Sequence, residues 1–139
     1  MIKRLLPLML MLLTVVAAPS QAAIEMLSVK LVKLTKNGSV TPGLEDVAAI
    51  IKRNLPYNGC EQIDQKACVL PANATLVFRG NYQMMLQSQG SELAVTITRK
   101  ERTLISTRIT LKANTPVIIG GFFAETKGAK HIFVFQRSK

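Results

Sequence analysis

The sequence predicts an α+β domain, a mostly antiparallel β meander packed against one amphipathic helix, preceded by a cleaved signal peptide. Three observations carry this reading. Between Asn73 and Lys139, short runs of β-formers alternate with turns marked by Gly and charge. Between Thr41 and Pro56, one apolar stripe recurs at helical spacing. Ahead of Ile24, a basic start and an apolar run end in small residues.

Residues 1–23 have the three parts of a secretory signal. Lys3 and Arg4 form the basic start, and Leu5 to Ala18 is apolar except for Pro7 and Thr14. Ser20 and Ala22 suit cleavage after Ala22, with Ala23 as the neighbouring option. The apolar run is shorter than the roughly 20 residues of a spanning helix, so removal is expected rather than anchoring. No later stretch reaches transmembrane length. The expected location is therefore periplasmic or secreted, and residues 24–139 form a single α+β domain of about 116 residues.

The chain carries a formal charge of +10, which falls to about +8 without Lys3 and Arg4. The basic residues are scattered along the sequence, and only Arg99-Lys100-Glu101-Arg102 form a cluster. Such an excess favours encounters with anionic surfaces. The cluster lacks the interleaved aromatic residues of a nucleic-acid site, and export also argues against nucleic acid.

The first strand is read over Ile24 to Lys36, where Leu27, Val29 and Leu31 alternate with Ser28, Lys30 and Val32. Asn37-Gly38-Ser39 supplies turn chemistry. Thr41 is expected to cap the helix, and Pro42 fits its first turn. Leu44, Val47, Ala48, Ile51 and Leu55 form the buried stripe, Glu45 and Asp46 suit the start, and Lys52 and Arg53 suit the end. Pro56 stops the helix.

Cys60 and Cys68 follow in an exported chain, where a close pair reads as a disulfide. Cys60 to Asp64 and Cys68 to Leu70 would form a narrow hairpin with Gln65-Lys66 at its tip. The bridge would stabilise by roughly 2–3 kcal/mol. A metal would need more ligands than the lone His131 readily adds. No metal or cofactor is expected.

The meander then runs through Ala74–Arg79, the alternating Tyr82, Met84 and Leu86, and the alternating Leu93, Val95 and Ile97. Beyond the charged tip come Ile105, Thr107, Ile109 and Leu111 on one face. Their polar neighbours predict strands with one wet side. Pro116-Val117-Ile118-Ile119 is continuous and apolar, as for a strand covered on both faces. Gly120-Gly121 should release the backbone into a connection holding Phe122 and Phe123. His131 to Gln136 closes the sheet, with His131 at an exposed strand end.

No nucleophile has an evident base, because His131 is the single histidine. Glu45 and Asp46 point apart around a helix, and no phosphate-binding loop occurs. The expected protein is not an enzyme. Phe122 and Phe123 are the candidate partner-binding residues, either in the core or as a small docking surface.

Thr115-Pro116-Val117-Ile118-Ile119-Gly120-Gly121-Phe122 resembles the Val-Ile-Gly-Gly strand end in the membrane-embedded part of bacterial outer-membrane secretins. The layout as a whole is also similar to short exported bacterial proteins with a Gly-Gly segment before the final strand. The chain is too short to be a secretin itself. The resemblance implies a Gram-negative-type envelope and an accessory role there. The expected function is a binding or accessory module for an outer-membrane or secretion assembly, with an envelope protein as partner. The alternative is a small periplasmic carrier, its apolar ligand held between helix and sheet by residues such as Ile51, Met84, Ile97 and Ile109.

Overall fold

The computed structural model describes residues 24–125 and 127–138, so the leader expected over 1–23 lies outside the described residues. The elements are β1 (Glu25–Thr35), α1 (Glu45–Asn54), β2 (Gly59–Leu70), β3 (Asn73–Phe78), β4 (Tyr82–Gln89), β5 (Glu92–Arg99), β6 (Arg102–Thr110), β7 (Val117–Phe123) and β8 (Lys130–Ser138). They form two four-stranded antiparallel sheets, ordered β2-β1-β8-β7 and β3-β4-β5-β6.

The mostly antiparallel α+β class is thus observed, but its layers differ from the expected ones. The meander is confined to β3–β6. Its inward residues, among them Tyr82, Met84, Leu86, Val95 and Ile97, meet Leu27, Val29, Leu31, Phe133 and Phe135 of the other sheet. Sheet therefore packs on sheet. The helix lies on the outside of the β1–β8 sheet, where Leu44, Val47 and Ile51 cover Val32, Leu34, Ile132 and Val134. It roofs the sheet made by the two ends of the described chain, not the meander. The physical reason lies in β8, whose residues His131 to Phe135 are all buried. A strand apolar on successive positions needs cover on both faces, and here the meander covers one while the helix covers the other.

β7 shares this double cover. Val117 packs toward the inner core and Ile118 toward the helix cluster. Among the described residues the seams β2/β3 and β6/β7 carry no ladder, which leaves β2, β7, β3 and β6 as edge strands. Arg137 pairs with Glu25 and also donates to the Leu111 carbonyl, tying the start of β1 to the β6–β7 connection.

The Cys60–Cys68 disulfide is not formed, and both cysteines are free. The hairpin expected to carry it does not exist. Gln65 and Lys66 continue the strand and pair with Lys30 and Val29 of β1. Neither residue has turn chemistry, and the whole edge of β1 is available to pair with. Eight residue steps along an extended chain put the two cysteines about 26 Å apart, against about 4.4–6.8 Å between Cα atoms in a disulfide. They also face opposite ways. Ile63 is an extra residue between the Leu31–Asp64 and Val32–Gln62 pairs, and such a bulge reverses the side-chain alternation. Cys68 then packs on the inner core, while Cys60 packs under the helix. Burial pushes both thiols up from their ordinary pKa. Alkylation after unfolding without reductant should label both thiols, and reductant should leave the urea midpoint unchanged. A midpoint drop worth the roughly 2–3 kcal/mol of a short-loop bridge would contradict this arrangement.

The helix corrects two further expectations. Leu44, not Thr41, stands at the N-cap, and no side chain caps it. The Thr41 hydroxyl instead accepts the Gln62 amide at 3.1 Å, stitching the helix entry to β2. Leu55 falls outside the stripe and is exposed, because the helix has already ended at Asn54. A residue before proline is driven out of helical geometry, and Leu55 is extended.

Candidate functional site

At one end of the sandwich three turns converge: residues 79–81 between β3 and β4, 100–101 between β5 and β6, and 124–129 between β7 and β8. The feature that builds this end is the pair Gly120-Gly121. These glycines do not end the strand, as expected, but lie within β7. Gly120 pairs with Ile132 and Phe122 with His131, leaving Gly121 as a bulge. A Cβ on Gly120 would lie 2.7 Å from the Ile132 Cα, and its φ is +148°. Only glycine allows the two backbones to approach so closely there.

The bulge divides the two phenylalanines. Phe122 is half-buried, its ring 6.1 Å from Tyr82 and 6.2 Å from Phe133. Phe123 is 76% exposed, with the Lys130 ammonium 3.8 Å from its ring centroid. The pair read in the sequence as either core or docking surface is thus split into one half-buried ring and one exposed ring. Met84 and Met85 divide in the same way, the first buried and the second exposed.

Arg99 braces the end. Its Nε donates to the Gly80 carbonyl at 3.1 Å, and Nη1 donates to the Phe123 carbonyl at 2.6 Å. Its guanidinium also lies 4.5 Å above the Tyr82 ring, a cation–π contact. One side chain therefore fixes two turns against each other. Asp64 adds a third tie by accepting the Arg79 amide at 3.0 Å.

Beneath them, Tyr82 and His131 form a buried polar pair joining the two sheets, Oη to Nδ1 at 2.8 Å. The exposed strand-end position expected for His131 is corrected, since the residue is only 8% exposed. The Tyr82 ring packs against it edge-on at 5.5 Å. Burial pushes the His131 pKa down, and Arg99 and Lys33 push it further, against Glu125. Burial raises that of Tyr82, opposed by Arg99. The arrangement holds a neutral imidazole against a neutral phenol and clamps one sheet to the other. Its partners are 49 residues apart in sequence, and no local pattern announces them.

The fold also gathers charge that is scattered in sequence. The three turns and their flanking strand ends hold six cations, Arg79, Arg99, Lys100, Arg102, Lys127 and Lys130, against Glu101 and Glu125. The three turns at the opposite end, flanks included, hold only Lys112 and Glu92. Hairpin connectivity explains this, because every second turn returns to the same end of a sandwich. An open groove of about 560 Å³ runs between Lys100, Arg102 and Leu104 on one side and Phe123, Ala124 and Glu125 on the other, with Arg99 in its wall.

The residues expected to line a carrier cavity are not brought together. Ile51 lies on the buried face of the helix, whereas Met84 and Ile97 are fully buried in the inner core and Ile109 packs at its margin. The β1–β8 sheet stands between them. Among the described residues, no three of His, Cys, Asp and Glu gather in a group that could hold a metal. Among the same residues no helix is long and apolar enough to cross a membrane. Compared with known proteins, the chain matches no protein family, no curated protein and no solved structure.

Proposed function

We propose that this chain is an exported envelope protein that works by binding, as an accessory module for an outer-membrane or secretion assembly, and not as an enzyme. One observation carries the reading: β7 is an edge strand that ends in Phe123, a large apolar side chain 76% exposed. A free strand edge offers unpaired backbone groups to an incoming segment, a recurrent mode of recognition. The apolar ring at its end offers the anchor that edge pairing alone lacks. The strand is also the segment that resembles the secretin strand end, Thr115 to Phe122, and this favours an envelope protein as partner.

The test is a pull-down from Gram-negative envelope extract with wild type and Phe123→Ser. Phe122 is unsuitable, since its ring packs in the core. The expected result is one specific partner, captured by wild type and reduced at least about tenfold by the loss of an anchor residue. Equal capture by both proteins, or no specific partner, would defeat the proposal.

A further inference from the structure

We infer that the basic end of the sandwich docks on an anionic phospholipid bilayer, with Phe123 entering the head-group layer. Three observations meet here. The cations are concentrated at this end and nearly balanced by sign at the other. Three turns share the end, so a single plane can touch all of them. The most exposed large apolar side chain among the described residues, Phe123 at the end of β7, stands among those cations with Lys130 against its ring.

Arg99 is already held by the Gly80 and Phe123 carbonyls. The head-group phosphates therefore fall to the other five, Arg79, Lys100, Arg102, Lys127 and Lys130. The aromatic ring selects among anionic partners. A soluble polysaccharide would meet the cations but give the exposed phenyl nothing apolar to enter. A bilayer places an apolar layer directly beneath its anionic surface, which suits a basic, aromatic-tipped end. Leu104, half-buried across the groove from Phe123, makes the groove wall partly apolar. The inference goes beyond the edge-strand reading. Its test uses purified protein and lipid alone, so either idea can fail without the other.

The experiment is co-sedimentation of the purified protein with vesicles. One set contains roughly one-third phosphatidylglycerol in phosphatidylcholine, and the other is phosphatidylcholine alone, both at about 0.1 M salt. Binding is expected to the anionic vesicles only and should fade as salt is raised. A cation near such a surface contributes about fivefold in affinity, so reversal by Lys100→Glu or Arg102→Glu should weaken binding more than tenfold. Phe123→Ser should weaken it about tenfold through the lost apolar burial. Lys112→Glu, at the opposite end, should stay within about twofold, and circular dichroism should show every variant folded. No binding to anionic vesicles would overturn the inference. So would equal losses in Lys112→Glu and Lys100→Glu, which would reduce the effect to net charge. Unchanged binding by Phe123→Ser, with full competition by dextran sulfate, would assign the surface to a soluble anionic polymer instead.

Discussion

Tyr82→Ala should lower stability by about 3–5 kcal/mol, the range for removing a large aromatic side chain from a core. Tyr82 is fully buried and meets Phe133 edge-on at 5.2 Å, Phe122 at 6.1 Å and His131 at 5.5 Å. Removing it empties the junction where the sheets meet beneath the basic end. A loss of this size is a large part of the about 5–15 kcal/mol that holds an ordinary domain. Tyr82→Phe should cost less, about 1–3 kcal/mol, because it keeps the ring and leaves only the His131 Nδ1 without its partner. Urea denaturation of the three proteins would check the order. Equal midpoints for wild type and Tyr82→Ala would show that the ring is not a structural element.

The same pair sets a pH dependence. The folded His131 has its pKa lowered by burial first, and then by Arg99 and Lys33. As pH falls below the ordinary value of about 6.5, the unfolded chain takes up this proton before the folded one does. Stability is therefore full above that value and declines as pH falls toward the folded pKa. Urea midpoints at pH 7.5 and at about pH 5.5 should differ in that direction, and His131→Gln should flatten this part of the profile. An unchanged slope in the variant would shift the cause to the carboxylates.

Gly120→Ala should be the most damaging of the small substitutions, at about 2–3 kcal/mol or more. The new Cβ would meet main-chain atoms, the Ile132 Cα at 2.7 Å and the His131 carbonyl oxygen at 2.8 Å. Backbone cannot rotate away as a side-chain tip can, so β7 would have to separate from β8. Gly121→Ala makes the useful comparison. Its φ is +105°, but nothing lies within 4 Å of the added atom, so only conformational strain of about 1–2 kcal/mol applies. Thermal unfolding should therefore rank wild type above Gly121→Ala, and Gly121→Ala above Gly120→Ala. A reversed order of the two alanines would mean that β7 is not held against β8 as described. Gly120→Ala should also disturb Phe123, whose position depends on the bulge.

Much of this protein follows from local chemistry that any reader of the chain can apply. Alternation at Tyr82–Leu86 and at Leu93–Ile97 determined strands and their buried faces, because a pleated chain sends successive side chains to opposite sides. The stripe at Leu44, Val47 and Ile51 determined a helix and the side it buries. The last turn failed at Leu55, where the influence of Pro56 prevailed over periodicity. Length and spacing limit what such rules can reach. Gln65-Lys66 passes for a hairpin tip only until the full edge of β1 is there to pair with it, and the Ile63 bulge then sends Cys60 and Cys68 to opposite faces.

What tertiary structure alone decided is which elements meet. Helix, meander and terminal strands are each recognisable in the chain, yet only packing placed β8 between two apolar layers and the helix outside both sheets. Likewise, Tyr82 finds His131 and six separated cations gather at one end through strand pairing across long stretches of sequence. Periodicity records which face of an element avoids water. It carries no label for the surface that will cover that face, because burial against any apolar partner satisfies it equally well.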